Sequence, residues 1–196
     1  FKVDVKDSAK SITLHAGPDA ASGIEKTIEI IPVKGDSFKI VHTLRNCNRW
    51  DVELAAWGIT VMAPGGKAII PMPQGDPEAL LPNTFISLWP YCTLADGRIR
   101  FGSKYTIIQQ DCKCGPAKTG CNCEDGWIAY QNKGITFIKK YEHFVDAEYP
   151  DNGCSVECYT NEEMLEIETL SPMYQLAYGE EVKHTEVWTA LRLSKE

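Results

Sequence analysis

Over most of this chain, apolar residues recur at every second position. Phe38, Ile40, His42 and Leu44 alternate with Lys39, Val41, Thr43 and Arg45, and Ile28 and Ile30 flank Glu29 within Ile24–Val33. Successive side chains of an extended strand point to opposite faces, so this period argues for half-buried strands and against helices. The same reading places strands at Ser11–His15, Val52–Val61, Ala68–Pro71, Phe85–Pro90, Tyr105–Gln109 and Trp127–Gln131. It places further strands at Ile135–Tyr141, Cys154–Thr160, Met164–Leu170 and Val182–Leu193. Turn-forming clusters separate them, among them Lys34-Gly35-Asp36, Pro64-Gly65-Gly66, Asn132-Lys133-Gly134 and Pro150-Asp151-Asn152-Gly153. No amphipathic helix of three turns is present; only Glu162-Glu163-Met164-Leu165 has local helical propensity. Many strands joined by short polar turns predict an all-β fold, an antiparallel sandwich forming one domain over residues 1–196. The irregular piece from Gly66 to Asn83, rich in Pro and Gly, reads as the rim of a site.

The 196 residues are 43% hydrophobic and 24% charged, enough to bury a sizeable core. A net charge of −7 with scattered basic residues argues against nucleic acid or an anionic membrane as partner. A neutral polyol or sugar fits that balance better. The longest uncharged piece, Leu54 to Gly66, is too short to span a bilayer. No signal peptide and no initiator Met are visible, so a chain opening on Phe1 reads as a fragment, a processed form or a trimmed one.

Eight cysteines allow disulfides in a secreted chain or free thiols in a reducing cytoplasm. A chain this long and apolar does not need staples, which tilts the expectation towards the cytoplasm. Two C-x-C pairs, Cys112/Cys114 and Cys121/Cys123, bracket a Gly/Pro/Lys loop. Four such thiolates could close a tetrahedral Zn²⁺ site, although structural zinc usually wants C-x₂-C and an extended C-x-C points its sulfurs apart. Disulfides within the loop and unpaired thiols are the alternatives. No other metal and no cofactor is expected. The histidines show no H-x-x-x-H or H-E-x-x-H spacing, and no G-x-S-x-G, phosphate-binding loop or dinucleotide fingerprint occurs.

The residues that point to chemistry are a carboxylate and some aromatics. Glu157 stands alone among small and β-prone residues in Gly153-Cys154-Ser155-Val156-Glu157-Cys158-Tyr159-Thr160-Asn161, with Glu163, Glu166 and Glu168 following. Such a carboxylate is a candidate for burial, either as a base with a raised pKa or as the partner of a Lys or Arg. Of five tryptophans, Trp89 in Trp89-Pro90-Tyr91 is the most site-like, because sugar sites pack aromatic faces against ring C–H groups. The other tryptophans read as core. His143 is the histidine most readily placed near Glu157, while His42 reads as a sheet histidine. Lys139 and Lys140 should face opposite sides of their strand. One of them could meet Glu157 or an acidic ligand.

Four longer stretches carry a family resemblance: Trp50 to Gly66; Leu81-Pro82-Asn83 with Leu88-Trp89-Pro90-Tyr91; Asp125 to Tyr130; and Tyr149-Pro150-Asp151-Asn152-Gly153-Cys154 through Leu170. In this order they resemble a family of uncharacterised bacterial proteins in the galactose mutarotase-like superfamily, relatives of aldose 1-epimerase. The likeness runs from about Ser11 to Arg192. It implies an antiparallel β-supersandwich that binds a monosaccharide or uronic acid on a concave face, through Trp89, Tyr91, Lys139, Lys140, Asp151 and Asn161. It also implies further strands before this chain begins, either supplied by another chain or segment or removed. The superfamily's epimerases pair a Glu base with a His acid so that the sugar ring opens and recloses. Gly153-Cys154-Ser155-Val156-Glu157 matches the Gly-x-x-x-Glu motif of their base. The position of the acid falls within Val52–Trp57, where this chain has Ala56 and Trp57 and no His. His143, Lys139, Lys140 or a residue from the missing N-terminal portion would then supply the proton, or the protein binds sugar without converting it. A lyase or hydrolase on the same fold would need Tyr149, Tyr159 or Asp151 as partner.

Overall fold

The computed structural model describes residues 2–6 and 10–192. In chain order the strands begin with β1 (Lys2–Lys6), β2 (Ser11–Ala16), β3 (Ile24–Pro32), β4 (Ser37–Asn46), β5 (Val52–Leu54) and β6 (Trp57–Met62). They continue with β7 (Lys67–Pro71), β8 (Ile86–Leu88), β9 (Ile99–Phe101), β10 (Tyr105–Gln109), β11 (Ala117–Cys121) and β12 (Trp127–Asn132). The last are β13 (Ile135–Tyr141), β14 (Val156–Thr160), β15 (Leu165–Leu170), β16 (Tyr174–Leu176) and β17 (Glu181–Arg192). A four-residue element, α1 (Pro150–Gly153), is helical only nominally, because Asp151 and Asn152 inside it are left-handed with φ of 53° and 64°.

Ten strands form one antiparallel sheet in the order β1-β2-β3-β4-β17-β13-β12-β7-β10-β9. Five form a second, β6-β15-β14-β11-β8, and β16 pairs with β5. The two larger sheets pack face to face. Ala68, Ile70, Ile108, Ile128 and Tyr130 from the first meet Val156, Cys158, Leu165 and Ile167 from the second in one buried cluster. Strand alternation fixes what else each strand shows. If Val156 and Cys158 face the core, Glu157 between them faces away, and Glu168 does the same beside Ile167.

The predicted all-β antiparallel architecture is therefore the observed one. Most predicted strands recur within a residue or two, with one informative split. The Val52–Val61 run breaks at Ala55-Ala56 into β5 and β6, which join different sheets. Ser171 clamps the break: its Oγ accepts from the Ala56 N–H at 2.8 Å and its own N–H donates to the Ala56 carbonyl at 2.9 Å. β6 then ends the five-stranded sheet, with Trp57, Ile59 and Val61 exposed along it. A hollow of about 530 Å³ separates that edge from β3 and β4, lined by Ile28, His42 and Leu44.

The core also holds charge. Lys139 and Glu186 are both fully buried, with Lys139 Nζ 3.0 Å from Glu186 Oε1. Nζ further donates to the Gly58 carbonyl (2.6 Å) and Thr60 Oγ1 (3.0 Å). Glu186 accepts from Thr169 (2.6 Å) and from the Trp188 indole (2.7 Å), and His42 Nε2 stands 3.4 Å away. Burial pushes the Glu186 carboxyl up, but His42, Lys139 and Thr169 together outweigh it and hold it at about 2. Burial, opposed by Glu186 and helped by His42 and Lys139, drives His184 down to about 4, so that ring is neutral. A buried pair is tolerated only when its remaining groups are satisfied, and this one is held from both sheets.

This packing makes Gly58 irreplaceable. A Cβ there would fall 2.2 Å from Glu186 Oε1, and Glu186 is held too tightly to swing aside. Gly58→Ala is expected to lower stability by about 2 kcal/mol and the melting temperature by several degrees, as overpacking does. Thermal unfolding followed by circular dichroism checks this; an unchanged midpoint would mean that Glu186 is free to move.

Candidate functional site

On the outer face of the five-stranded sheet, β14 and β15 pair so that Glu157 lies opposite Glu168. Like charges directly opposite repel, and both carboxylates are buried, Glu157 being 1% exposed and Glu168 0%. The cation that resolves this comes from β11, next to β14. Lys118 Nζ lies 2.7 Å from Glu157 Oε2 and 2.8 Å from Glu168 Oε2. Two indoles sandwich it, Trp57 at 4.7 Å and Trp89 at 4.6 Å from ring centre to Nζ. Cation–π attraction in such a desolvated setting adds to the ion pairs. The Trp57 indole N–H donates to Glu168 Oε2 at 2.6 Å, which locks that ring.

Gly120 makes room for the arrangement. It is the β11 residue opposite Glu157, and a Cβ on it would stand 2.9 Å from Glu157 Cγ and 2.8 Å from Cys154 Sγ. The absent side chain lets Glu157 lie flat across β11 towards Lys118.

These groups open into a hollow of about 300 Å³, lined by Trp57, Trp89, Lys118, Asp151, Glu157 and Met173 among others. Asp151 reaches its mouth from the left-handed turn, whose backbone is tied down by Ser87 Oγ donating to the Asp151 carbonyl at 2.6 Å. One oxygen of each buried carboxylate, Glu157 Oε1 and Glu168 Oε1, has no hydrogen-bond partner. Burial pushes the Glu157 carboxyl up to about 8, with Lys118 opposing and Asp151 and Glu168 adding to the rise. Burial also works against the Lys118 ammonium, but its two carboxylate partners outweigh that and hold its pKa above the ordinary value.

The structure thus brings Glu157, Trp89 and Asp151 together, as the sequence suggested. Tyr91 stands near the hollow without lining it, edge-on to Tyr159 with ring centres 6.4 Å apart. The other expected residues lie elsewhere. Lys139 points into the interior between the two sheets and belongs to Glu186. Lys140 is exposed on the other face of β13. His143 stacks flat on Tyr149, with ring centres 5.0 Å apart, and does not line the hollow. Asn161 is a turn residue: its Oδ1 accepts from the Glu163 and Met164 N–H groups. The Gly66–Asn83 piece does not rim this hollow either; its first residues enter β7.

The zinc alternative also fails on geometry. Cys121 ends β11 and Cys123 follows it, whereas Cys112 and Cys114 precede its start, and a five-residue strand covers about 13 Å. Cys121 and Cys123 are buried thiols, Cys123 pushed up to about 11 by that burial. Among the described residues no group of three or more His, Cys, Asp or Glu side chains could hold a metal ion, and all eight cysteines are free.

Lys118 is the functional residue that sequence reasoning missed. Its strand hides between Gly115-Pro116 and the cysteines, and only the short alternation of Ala117, Thr119 and Cys121 with Lys118 and Gly120 betrayed it.

Lys118→Met should strand two buried carboxylates facing one another, at a cost of about 3–5 kcal/mol. Burial already holds the Glu157 carboxyl up at about 8, and the lost cation no longer opposes that rise. Its contribution is then kept below the unfolded carboxylate pKa and lost as pH rises through the folded one. The stability deficit of the variant against the parent, read by urea unfolding, is therefore expected to shrink as pH falls from about 8 to about 5. A pH-independent deficit would argue against two charged carboxylates at this position.

No protein-family model matches the chain, and no curated protein matches it in sequence. Solved structures do. A candidate aldose 1-epimerase from Escherichia coli K12 superposes with a TM-score of 0.62 at 9% identity, over 98% of this chain and 68% of its own. A galactose mutarotase-like protein from Lactobacillus casei ATCC 334 gives 0.58 at 10% identity, over 97% and 73%. A candidate aldose 1-epimerase from Klebsiella pneumoniae subsp. pneumoniae MGH 78578 gives 0.56 at 14% identity, over 98% and 54%. The chain thus spans between about half and three quarters of the length of these proteins. At such identities the likeness speaks for architecture: this chain has the galactose mutarotase-like β-sandwich fold.

Proposed function

We propose that this chain is a carbohydrate-binding protein that holds one monosaccharide in the hollow that Trp57 and Trp89 help to line. The observation that carries this reading is Glu157, buried at the floor with an acceptor oxygen left unpartnered. An unsatisfied buried acceptor is costly, and a sugar hydroxyl is a donor of suitable reach. The flanking indoles offer flat apolar walls to the ring's C–H faces, and Asp151 offers a second acceptor at the mouth. The fold, shared with structures named as epimerases and mutarotases, supports a carbohydrate ligand. Monosaccharide titrations followed by calorimetry and by tryptophan fluorescence are expected to show saturable binding. Trp89→Ala should weaken it about three- to tenfold. Equal affinity in that variant, or no binding of any sugar, would end this reading.

A second reading, interconversion of sugar anomers, is favoured by the raised pKa of Glu157, which suits a base working near neutrality. The histidine acid of the superfamily has no counterpart lining the hollow, so Lys118 is the nearest group able to supply a proton. If the chain accelerates mutarotation, the rate should rise with pH through about 8, as Glu157 loses its proton, and Glu157→Gln should abolish it. Polarimetry on freshly dissolved sugar reads both. An acceleration retained in Glu157→Gln would remove Glu157 from the chemistry.

A further inference from the structure

The hollow is rich in acceptors and nearly devoid of donors. Glu157 Oε1, on the lining, is buried and accepts nothing. Asp151 adds a second acid at the mouth. Among the described residues lining the hollow, the single cation is Lys118, and both carboxylates already draw on its ammonium between the two indoles. The Trp57 indole N–H is committed to Glu168. Ala55, Pro150, Leu170 and Met173 complete the lining and bring no side-chain donor. With Glu157 ionised, the lining side chains keep as uncommitted donors only the Trp89 indole N–H and the third N–H of the Lys118 ammonium.

A ligand that complements such a surface must itself donate. Hydroxyls do so, and an ammonium group does so with three N–H bonds and a charge opposite to that of the wall. A carboxylate or phosphate donates nothing. It would bring a like charge towards carboxylates in a partly desolvated site, where juxtaposed like charges cost several kcal/mol. The acidic ligand that the sequence suggested depended on Lys139 or Lys140, and neither reaches the hollow.

Building on the sugar-binding reading above, we propose that this site selects an amino sugar with a free ammonium group over the neutral sugar, and rejects uronic acids and sugar phosphates. The ammonium takes the unpartnered oxygen of Glu157, releasing to solvent the proton that burial keeps on that carboxyl up to about 8, and the carboxylate of Asp151, while the sugar ring lies in the hollow that Trp57 and Trp89 help to line. Glu157 sets the preference from the floor, and Asp151 from the mouth.

The test is an affinity series on the intact chain with glucosamine, N-acetylglucosamine, glucose, glucuronate and glucose 6-phosphate, at low salt and a pH of about 6.5. Glucosamine is expected to bind about three- to tenfold more tightly than glucose, with N-acetylglucosamine close to glucose and both acidic sugars at least as much weaker. The spread should narrow in about 0.3 M salt, because the attraction is electrostatic. Asp151→Asn should narrow it too; this side chain is exposed on a turn, so the variant keeps the fold. Glucuronate or the phosphate binding as tightly as glucose, or N-acetylglucosamine matching glucosamine, would overturn the selectivity while leaving sugar binding in place. If none of the five binds, the sugar-binding reading itself falls and the selectivity falls with it.

Discussion

The register of β14 against β15 sets Glu157 opposite Glu168, and the outer face of the small sheet is organised around the consequence. Two buried carboxylates on neighbouring strands cannot stand alone in a desolvated position. Lys118 on the next strand, reaching both within 2.8 Å, is what makes the pairing tolerable. A slip of one residue in either strand would turn a carboxylate into the apolar core and a core residue out into the hollow. The hollow's charge pattern and the packing of the sandwich are therefore one constraint, expressed on the two faces of the same strands.

β15 shows this most directly. Glu168 belongs to the Lys118 cluster on the outer face, while Thr169 beside it donates to Glu186 on the inner face. Two polar networks thus lie back to back across a single sheet, and they serve different ends. The inner one is closed: Lys139 and Glu186 satisfy each other and draw further partners from both sheets. The outer one is open, with Glu157 Oε1 left without a donor beside a cavity. A closed network stabilises and fixes registration. An open one, facing space, is what a binding site requires.

Much of the fold was legible from period and punctuation, because half-buried strands display their two faces in the sequence. Tyr105–Gln109 and Ile135–Tyr141 were read to the residue. Legibility failed where strands are very short or where both neighbours are turn-like. β11 was hidden by Gly115-Pro116 and by the cysteines taken for a loop, and with it went Lys118, the cation of the site. The split between β5 and β6 was invisible because nothing in Leu54-Ala55-Ala56-Trp57 marks a change of sheet; Ser171, more than a hundred positions away, makes it. Glu157, Trp89 and Asp151 were readable because each stands out locally, as a lone acid, a Trp-Pro pair and a turn acid. Lys139 misled for the same reason: alternation says that one of two adjacent lysines turns inward, but not into which side of a sandwich.

The outer network also bears on whether a bound sugar would react. Opening a pyranose ring calls for one group to take a proton from the anomeric hydroxyl while another gives one to the ring oxygen. In this hollow the first role falls naturally to Glu157. The second meets an obstacle, since the Lys118 ammonium is stabilised by two carboxylates and two indoles, and each of these holds its proton more firmly. A good electrostatic clamp is for that reason a poor acid. The same contacts that would make the proposed site stable and selective thus weigh it towards holding a sugar and away from turning it over. Any faster chemistry would have to draw its acid from the ligand itself, from water, or from a group outside the lining described.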